Sequence, residues 1–126
     1  MNAVQVLKNL KLIPYVKKKK SVYRVVCAAD RLPKHAPRPC AIIVNTDPAH
    51  RPGEHWIAIY IDENGIGEYF DSFGRSPQNY YYHLKFIENN SVYFRYNDIV
   101  LQDFHSDVCG LYCLMYLYFR AYNMLT

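Results

Sequence analysis

HWIAIYIDENGIGEYFDSFG, residues 55–74, is the stretch whose reading decides the fold. Trp56–Ile61 is an unbroken run of strand formers, and Ile66–Phe70 is a second, shorter run. Between them lies Asp62–Gly65, which contains Asn64-Gly65, the pair that best tolerates the positive φ of a tight hairpin. Two strands joined this way are antiparallel neighbours. A register that pairs the first run with the second brings the start of one and the end of the other to the same edge of the sheet. His55 stands at that start and Asp71 at that end. One His and one Asp at strand ends are ordinarily a solvated loop edge. Held side by side they do more: the carboxylate fixes the tautomer of the imidazole and stabilises the imidazolium. A nucleophile–base pair needs such an orienting group.

Upstream, Ala41–Asn45 is a short β-branched run bounded by turn residues, which predicts a buried strand. It is followed by the Pro- and Gly-containing loop 46–54, with His50 inside it. Val22–Val26 reads as a short strand. Residues 29–39 hold three prolines and read as irregular, with His35 on the surface. Val4, Leu7 and Leu10 mark a weak amphipathic helix. After it come Pro14 and the block Lys17, Lys18, Lys19, Lys20, a loop.

Downstream, Ser76-Pro77 is a helix start, a capping residue followed by proline at the first helical position. That helix is expected to run to Asn89-Asn90, with His83 on its surface or in its packing. Val92–Tyr96 predicts an edge strand, and Asn97 with Asp98 a turn. Ile99–Leu101 is the last strand and runs into Gln102. The apolar run Leu111–Phe119 is too short and too tyrosine-rich to span a bilayer, and predicts a central helix buried on most sides. Ser106 and Asp107 precede it as caps, which places Cys109 in its first turn. The partial positive charge there favours a thiolate. Gly110 leaves room for a substrate backbone. The Gln102 amide and the Cys109 N–H can form an oxyanion hole. Cys113, one helical turn further on, is assigned to packing. Strands first, then helix, strand, helix predict an α+β fold, a small mostly antiparallel sheet packed with helices.

The bulk numbers agree with one domain over residues 1–126 and a single core. A hydrophobic share of 51% excludes a disordered chain. The formal charge of +4 and the Lys17–Lys20 block fit either a nucleic-acid patch or a plain solvated loop. Most of the 13 tyrosines are expected to pack with the hydroxyl at the surface. Cys27, Cys40, Cys109 and Cys113 contain no C-x-x-C pair, so no zinc site is expected. Without a secretory signal, an intracellular, reduced protein with no membrane association is expected.

The order His55-Trp56, then FDSFG at 70–74, then Gln102, then CGLYC at 109–113 resembles the adenain family, the adenovirus-type cysteine proteases. It is similar, more distantly, to the proteases that remove SUMO and other ubiquitin-like proteins. The resemblance covers Cys40 to about Arg120 and fits best the adenain-like proteases of Maverick-type (Polinton) elements and related large DNA viruses. It implies a papain-like scaffold with permuted catalytic order, the nucleophile cysteine opening a buried central helix. It also implies His55 as general base, Asp71 as orienting acid, Gln102 as oxyanion donor and Cys109 as nucleophile. Adenains often carry Glu at the position of Asp71, while the SUMO-type proteases carry Asp. Trp56 would shield the substrate backbone beside the groove, and Gly110 would admit cleavage after small residues such as Gly.

The implied activity is a cysteine endopeptidase that cuts viral or transposon capsid and core precursors during virion maturation. The implied setting is the host nucleus or the virion, with a monomer assumed. The substrate is a protein or peptide, and no cofactor is required for the chemistry. The chain ends soon after the nucleophile helix where adenains continue, so some substrate-side or cofactor-side structure is expected elsewhere. Ser91 stands where adenains carry the cysteine that links an activating peptide, which argues against a covalent activator. An activating DNA remains compatible with the lysine block. Three alternatives compete. An isopeptidase needs a broad docking surface for its modifier, and few residues are left to build one. An acyltransferase needs a site for an acyl donor. A silent binding module has no need of the four residues that are all present.

Overall fold

The structure, a computed structural model, describes residues 5, 6, 8, 22–51, 55–97 and 112–117. Among the described residues five strands form one mixed sheet in sequence order: β1 (Tyr23–Cys27), β2 (Cys40–Asn45), β3 (Trp56–Ile61), β4 (Ile66–Phe70) and β5 (Tyr93–Tyr96). One α-helix, α1 (Tyr81–Asn90), joins β4 to β5, and residues 112–117 are helical. The fold is α+β, as the order of elements predicts. The 99–101 strand, the helix start at 106–110 and the lysine block lie outside the described residues.

The hairpin of β3 and β4 forms as its sequence dictates. Gly65 takes φ +85°, and the turn closes with Gly65 N–H to the Asp62 C=O at 3.1 Å and Asp62 N–H to the Ile66 C=O at 3.0 Å. The Asp62 carboxylate also accepts from the N–H groups of Asn64 and Ile66, both at 2.9 Å. β2 and β3 pair antiparallel over their whole length, from Cys40↔Ile61 to Asn45↔Trp56. Every residue of both strands is buried. This follows from cover on both faces, which removes the need for an alternating pattern.

The outer pairings correct the expected mostly antiparallel sheet. β1 runs parallel to β2, and β5 runs parallel to β4. A parallel return needs a crossover of a dozen or more residues over one face. The proline-rich 28–39 segment and the 71–92 segment supply these two crossovers. The helix start is also corrected. Ser76 accepts from Gln78 N–H and Pro77 stands at the first helical position, but they open only a short 3₁₀ turn, Pro77–Asn79. Tyr80 is extended at φ −135°, and α1 begins one residue later. The Tyr80 ring packs at 5.1 Å from the His83 ring.

Side chains sort by parity between two apolar layers. Cys40, Ile42, Val44, Ile57, Ile59, Ile61 and Tyr69 meet Phe86 and Ile87 of α1. Ala41, Ile43, Trp56, Ala58 and Tyr60 meet Val6, Val22, Cys113, Leu114 and Leu117. The 112–117 segment buries one face, with Met115 exposed on the other, where burial on most sides was expected. Among the described residues no helix is long and apolar enough to cross a membrane.

Candidate functional site

The β3–β4 register sets the site. Ala58 pairs with Phe70, so the chain leaves β4 beside the first residues of β3. His55 precedes β3, and its C=O accepts from Thr46 N–H at 2.8 Å, which ties it to the end of β2. Asp71 follows β4. The two side chains meet with His55 Nε2 2.6 Å from Asp71 Oδ1, both buried at 3% and 0% exposure. This is the meeting that the hairpin register predicts.

The carboxylate is held from several sides. Oδ1 also accepts from Phe73 N–H at 2.8 Å, and Arg75 Nε lies 3.4 Å from Oδ2. Burial by itself would raise the Asp71 carboxyl. The hydrogen bonds from His55 and Phe73 N–H, with the charges of His55 and Arg75, outweigh it and hold the carboxyl below its ordinary value. Asp71 is therefore an ionised, acceptor-only group at neutral pH. It fixes the neutral His55 tautomer with hydrogen on Nε2 and the lone pair on Nδ1, so Nδ1 is the ring atom able to take a proton.

The ring plane is set by stacking. His55 and Phe73 lie 4.1 Å apart, nearly parallel at 10°, and the Arg75 guanidinium sits 5.0 Å over the other aromatic partner, Phe73. Asn97, just past β5, bonds both polar groups of the Asp71 main chain. Neither Phe73, Arg75 nor Asn97 was singled out in the sequence as part of a site. FDSFG contains Phe73, but only the folded hairpin turn shows that its ring lies on His55. Asn97 reads in sequence as a turn former and nothing more.

The other predicted residues divide. Trp56 is 8% exposed and belongs to the core layer that contains Cys113; packing is the role this placement shows. Gln102, Cys109 and Gly110 lie outside the described residues. Cys27, Cys40 and Cys113 are reduced thiols, not disulfide-bonded. Burial pushes Cys27 up to about 12, with help from the Asp30 charge. Burial likewise raises Cys40 to about 11. Such thiols are inert near neutral pH. His35 and His50 are exposed, whereas His83 is fully buried. His83 Nε2 lies 2.9 Å from the Asn45 C=O and Nδ1 lies 2.8 Å from the Tyr69 hydroxyl. The carbonyl accepts only, so Nε2 donates and the tyrosine donates to Nδ1. His83 thus cements β2, β4 and α1 as a neutral ring.

Among the described residues no group of three or more His, Cys, Asp or Glu side chains is placed to hold a metal ion. A hollow of about 250 Å³ is lined by Glu68, Tyr69, Phe70, Arg95, Tyr96, Asn97 and Tyr116. Glu68 there bonds Arg95 and the Tyr116 hydroxyl.

No family model matches the chain. The chain is similar to a cysteine protease of African swine fever virus, 44% identical over 50 residues that cover 35% of this chain and 18% of the relative. It is also similar to a putative thiol protease of Acanthamoeba polyphaga mimivirus, 33% identical over 87 residues, 57% of this chain and 26% of the relative. The matches thus span between about a sixth and about a quarter of these curated viral proteins.

Proposed function

We propose that this chain is a cysteine peptidase of the viral kind, an endopeptidase acting on precursor proteins. The observation that carries this reading is the buried 2.6 Å bond between His55 Nε2 and an ionised Asp71. It prepares Nδ1 as a base and has no evident purpose in a binding module. The named similarity to two viral cysteine or thiol proteases supports the same reading. Cys109 is the nucleophile and Gln102 the oxyanion donor, both from the sequence motif. Cys113 lies four residues after Cys109 and Trp56 one residue after His55. These two flanking side chains share one core layer, which favours the pairing.

The chemistry then runs in two halves. The Cys109 thiol gives its proton to His55 Nδ1, and the thiolate adds to the scissile carbonyl. The Gln102 amide and the Cys109 N–H stabilise the oxyanion, each donor typically worth on the order of 10²–10³ in turnover. The imidazolium protonates the leaving amine and an acyl-enzyme remains. His55 next takes a proton from water, whose oxygen attacks the thioester. The carboxylic acid leaves and the thiol is restored. Asp71 stays ionised throughout and stabilises the imidazolium.

The finer reading follows the adenain-like resemblance: cleavage after small residues such as Gly, capsid or core precursors as substrates, and virion maturation as the setting. By the same resemblance Trp56 and Gly110 would flank the groove, and the Lys17–Lys20 block would take an activating DNA. An isopeptidase acting on a ubiquitin-like modifier would use the same residues.

The test is a pH profile of iodoacetamide alkylation with mass-spectrometric site mapping, on the wild type and His55→Ala. Cys27 and Cys40 are built-in references. Cys109 is expected to react far faster than either near neutral pH, and only with His55 in place. Equal reactivity of Cys109 and Cys40, with or without added DNA, would overturn the peptidase reading.

A further inference from the structure

Asn97 makes contacts that a turn residue does not need. β5 runs parallel to β4, and the last pair of their ladder is Tyr69↔Tyr96. One step beyond, a side-chain amide takes the place of a strand peptide. Asn97 Oδ1 accepts from the Asp71 N–H at 2.9 Å, and Nδ2 donates to the Asp71 C=O at 2.6 Å. Exchanging the amide oxygen and nitrogen would set donor against N–H and acceptor against C=O, so only one orientation fits. A single side chain thus holds both polar groups of the Asp71 main chain. Asp71 stands just past the end of β4, where no further pair of the β4–β5 ladder follows.

We propose that Asn97 is a positioning residue for the His55–Asp71 pair. This rests on the reading of His55 as base and Asp71 as its orienting acid. The carboxylate of Asp71 is aimed by Phe73 N–H and Arg75. Asn97 holds the peptide on which that carboxylate is mounted. Both are needed, because a site of this kind tolerates only about 0.5 Å of displacement. The plain alternative is that Asn97 adds stability at a strand end and leaves the pair untouched. The two readings differ in what happens to His55.

The experiment follows the His55 ring by ¹⁵N-edited NMR through a pH titration of the whole chain. The charged and titratable groups around the pair among the described residues are Arg75, His83 and Tyr69. Asp71→Asn defines the full effect of losing the carboxylate charge. Asn97→Ala is expected to lower the His55 midpoint part of the way toward that of Asp71→Asn, by about half a pH unit or more. An unchanged His55 midpoint in a folded Asn97→Ala would overturn the proposal. If Asn97→Ala fails to fold, Asn97→Asp is read instead, since it keeps the size and the acceptor and loses the donor. Its added charge alone would raise the His55 midpoint, so a fall supports positioning, and a rise or no change overturns it. Cys109 alkylation measured on the same wild-type sample separates this proposal from the peptidase reading. A slow Cys109 beside a His55 midpoint that does depend on Asn97 defeats the peptidase reading and leaves the clamp standing.

Discussion

Asp71 is the residue on which the site turns, and its environment makes two outcomes specific. Its carboxyl is held below the ordinary range, so it is charged wherever His55 could act as a base. Asp71→Asn keeps the shape but removes the negative charge that stabilises the imidazolium, and sets an amide donor beside the acceptor that Nε2–H needs. Turnover, or Cys109 alkylation in its place, is expected to fall by roughly 10²–10⁴, the usual worth of acid–base help. A loss under threefold would show that the pair is structural. The remaining thiols give the converse test. Cys27, at about 12, and Cys40, at about 11, cannot supply a thiolate near neutral pH. Cys113 is wholly buried in the core. Serine at any of the three is expected to leave turnover within a few-fold of wild type. A folded but dead variant at one of them would move the nucleophile away from Cys109. His55 and Asp71 could be read from the sequence because a hairpin forces its two outer ends together. Phe73, Arg75 and Asn97 could not, because their roles depend on ring planes and amide orientation that no spacing encodes.

At the scale of the element, the β3–β4 hairpin is where local chemistry dictates structure most directly. Asn64-Gly65 predicts the turn, and Gly65 takes φ +85°. A Cβ at Gly65 would lie 2.8 Å from Arg38 Nη1 and 2.9 Å from Val92 Cγ2. Both neighbours can give way, since Nη1 ends a flexible side chain and Val92 is exposed. The backbone penalty of a left-handed residue is what remains, about 1–2 kcal/mol. Gly65→Ala is expected to lower the melting temperature by about 4–8 °C. The turn lies at the far end of the hairpin from His55 and Asp71. Cys109 alkylation should therefore be unchanged, and a matching loss of reactivity would mean that the turn controls the site. Elsewhere the elements were only half legible. Ser76-Pro77 carries a true cap, yet the extended backbone of Tyr80 separates the 3₁₀ turn from α1. The parallel outer pairings were hidden because runs such as Val22–Val26 and Val92–Tyr96 state strand propensity but not direction.

For the molecule as a whole, the sheet lies between two apolar layers, and one buried imidazole joins three of its elements. β2 and β3 showed their burial openly as unbroken apolar runs. His83 did not show its own, since a histidine on a tyrosine-rich helix reads as surface or packing alike. Burial drives the His83 pKa down to about 4, against its ordinary 6.5, and the bond to the Asn45 C=O offsets only part of this. The sign of the stability change follows. The unfolded chain takes up a proton near pH 6.5 and the folded chain only near pH 4, so between these values the unfolded state binds more protons. The contribution is complete above pH 6.5 and is lost as the pH falls toward 4, for a total of about 3 kcal/mol. Asp71, with its depressed carboxyl, acts in a separate and lower window. Its stability is present above the ordinary carboxylate range and is lost only as the pH drops through the folded value. Urea unfolding at a series of pH values separates the two. His83→Gln should flatten the slope between pH 6.5 and 4 and leave the more acidic limb, while Asp71→Asn should do the reverse. If His83→Gln kept the wild-type slope, the acid sensitivity would belong to another group, and the neutral ring joining β2, β4 and α1 could not be what the folded state protects.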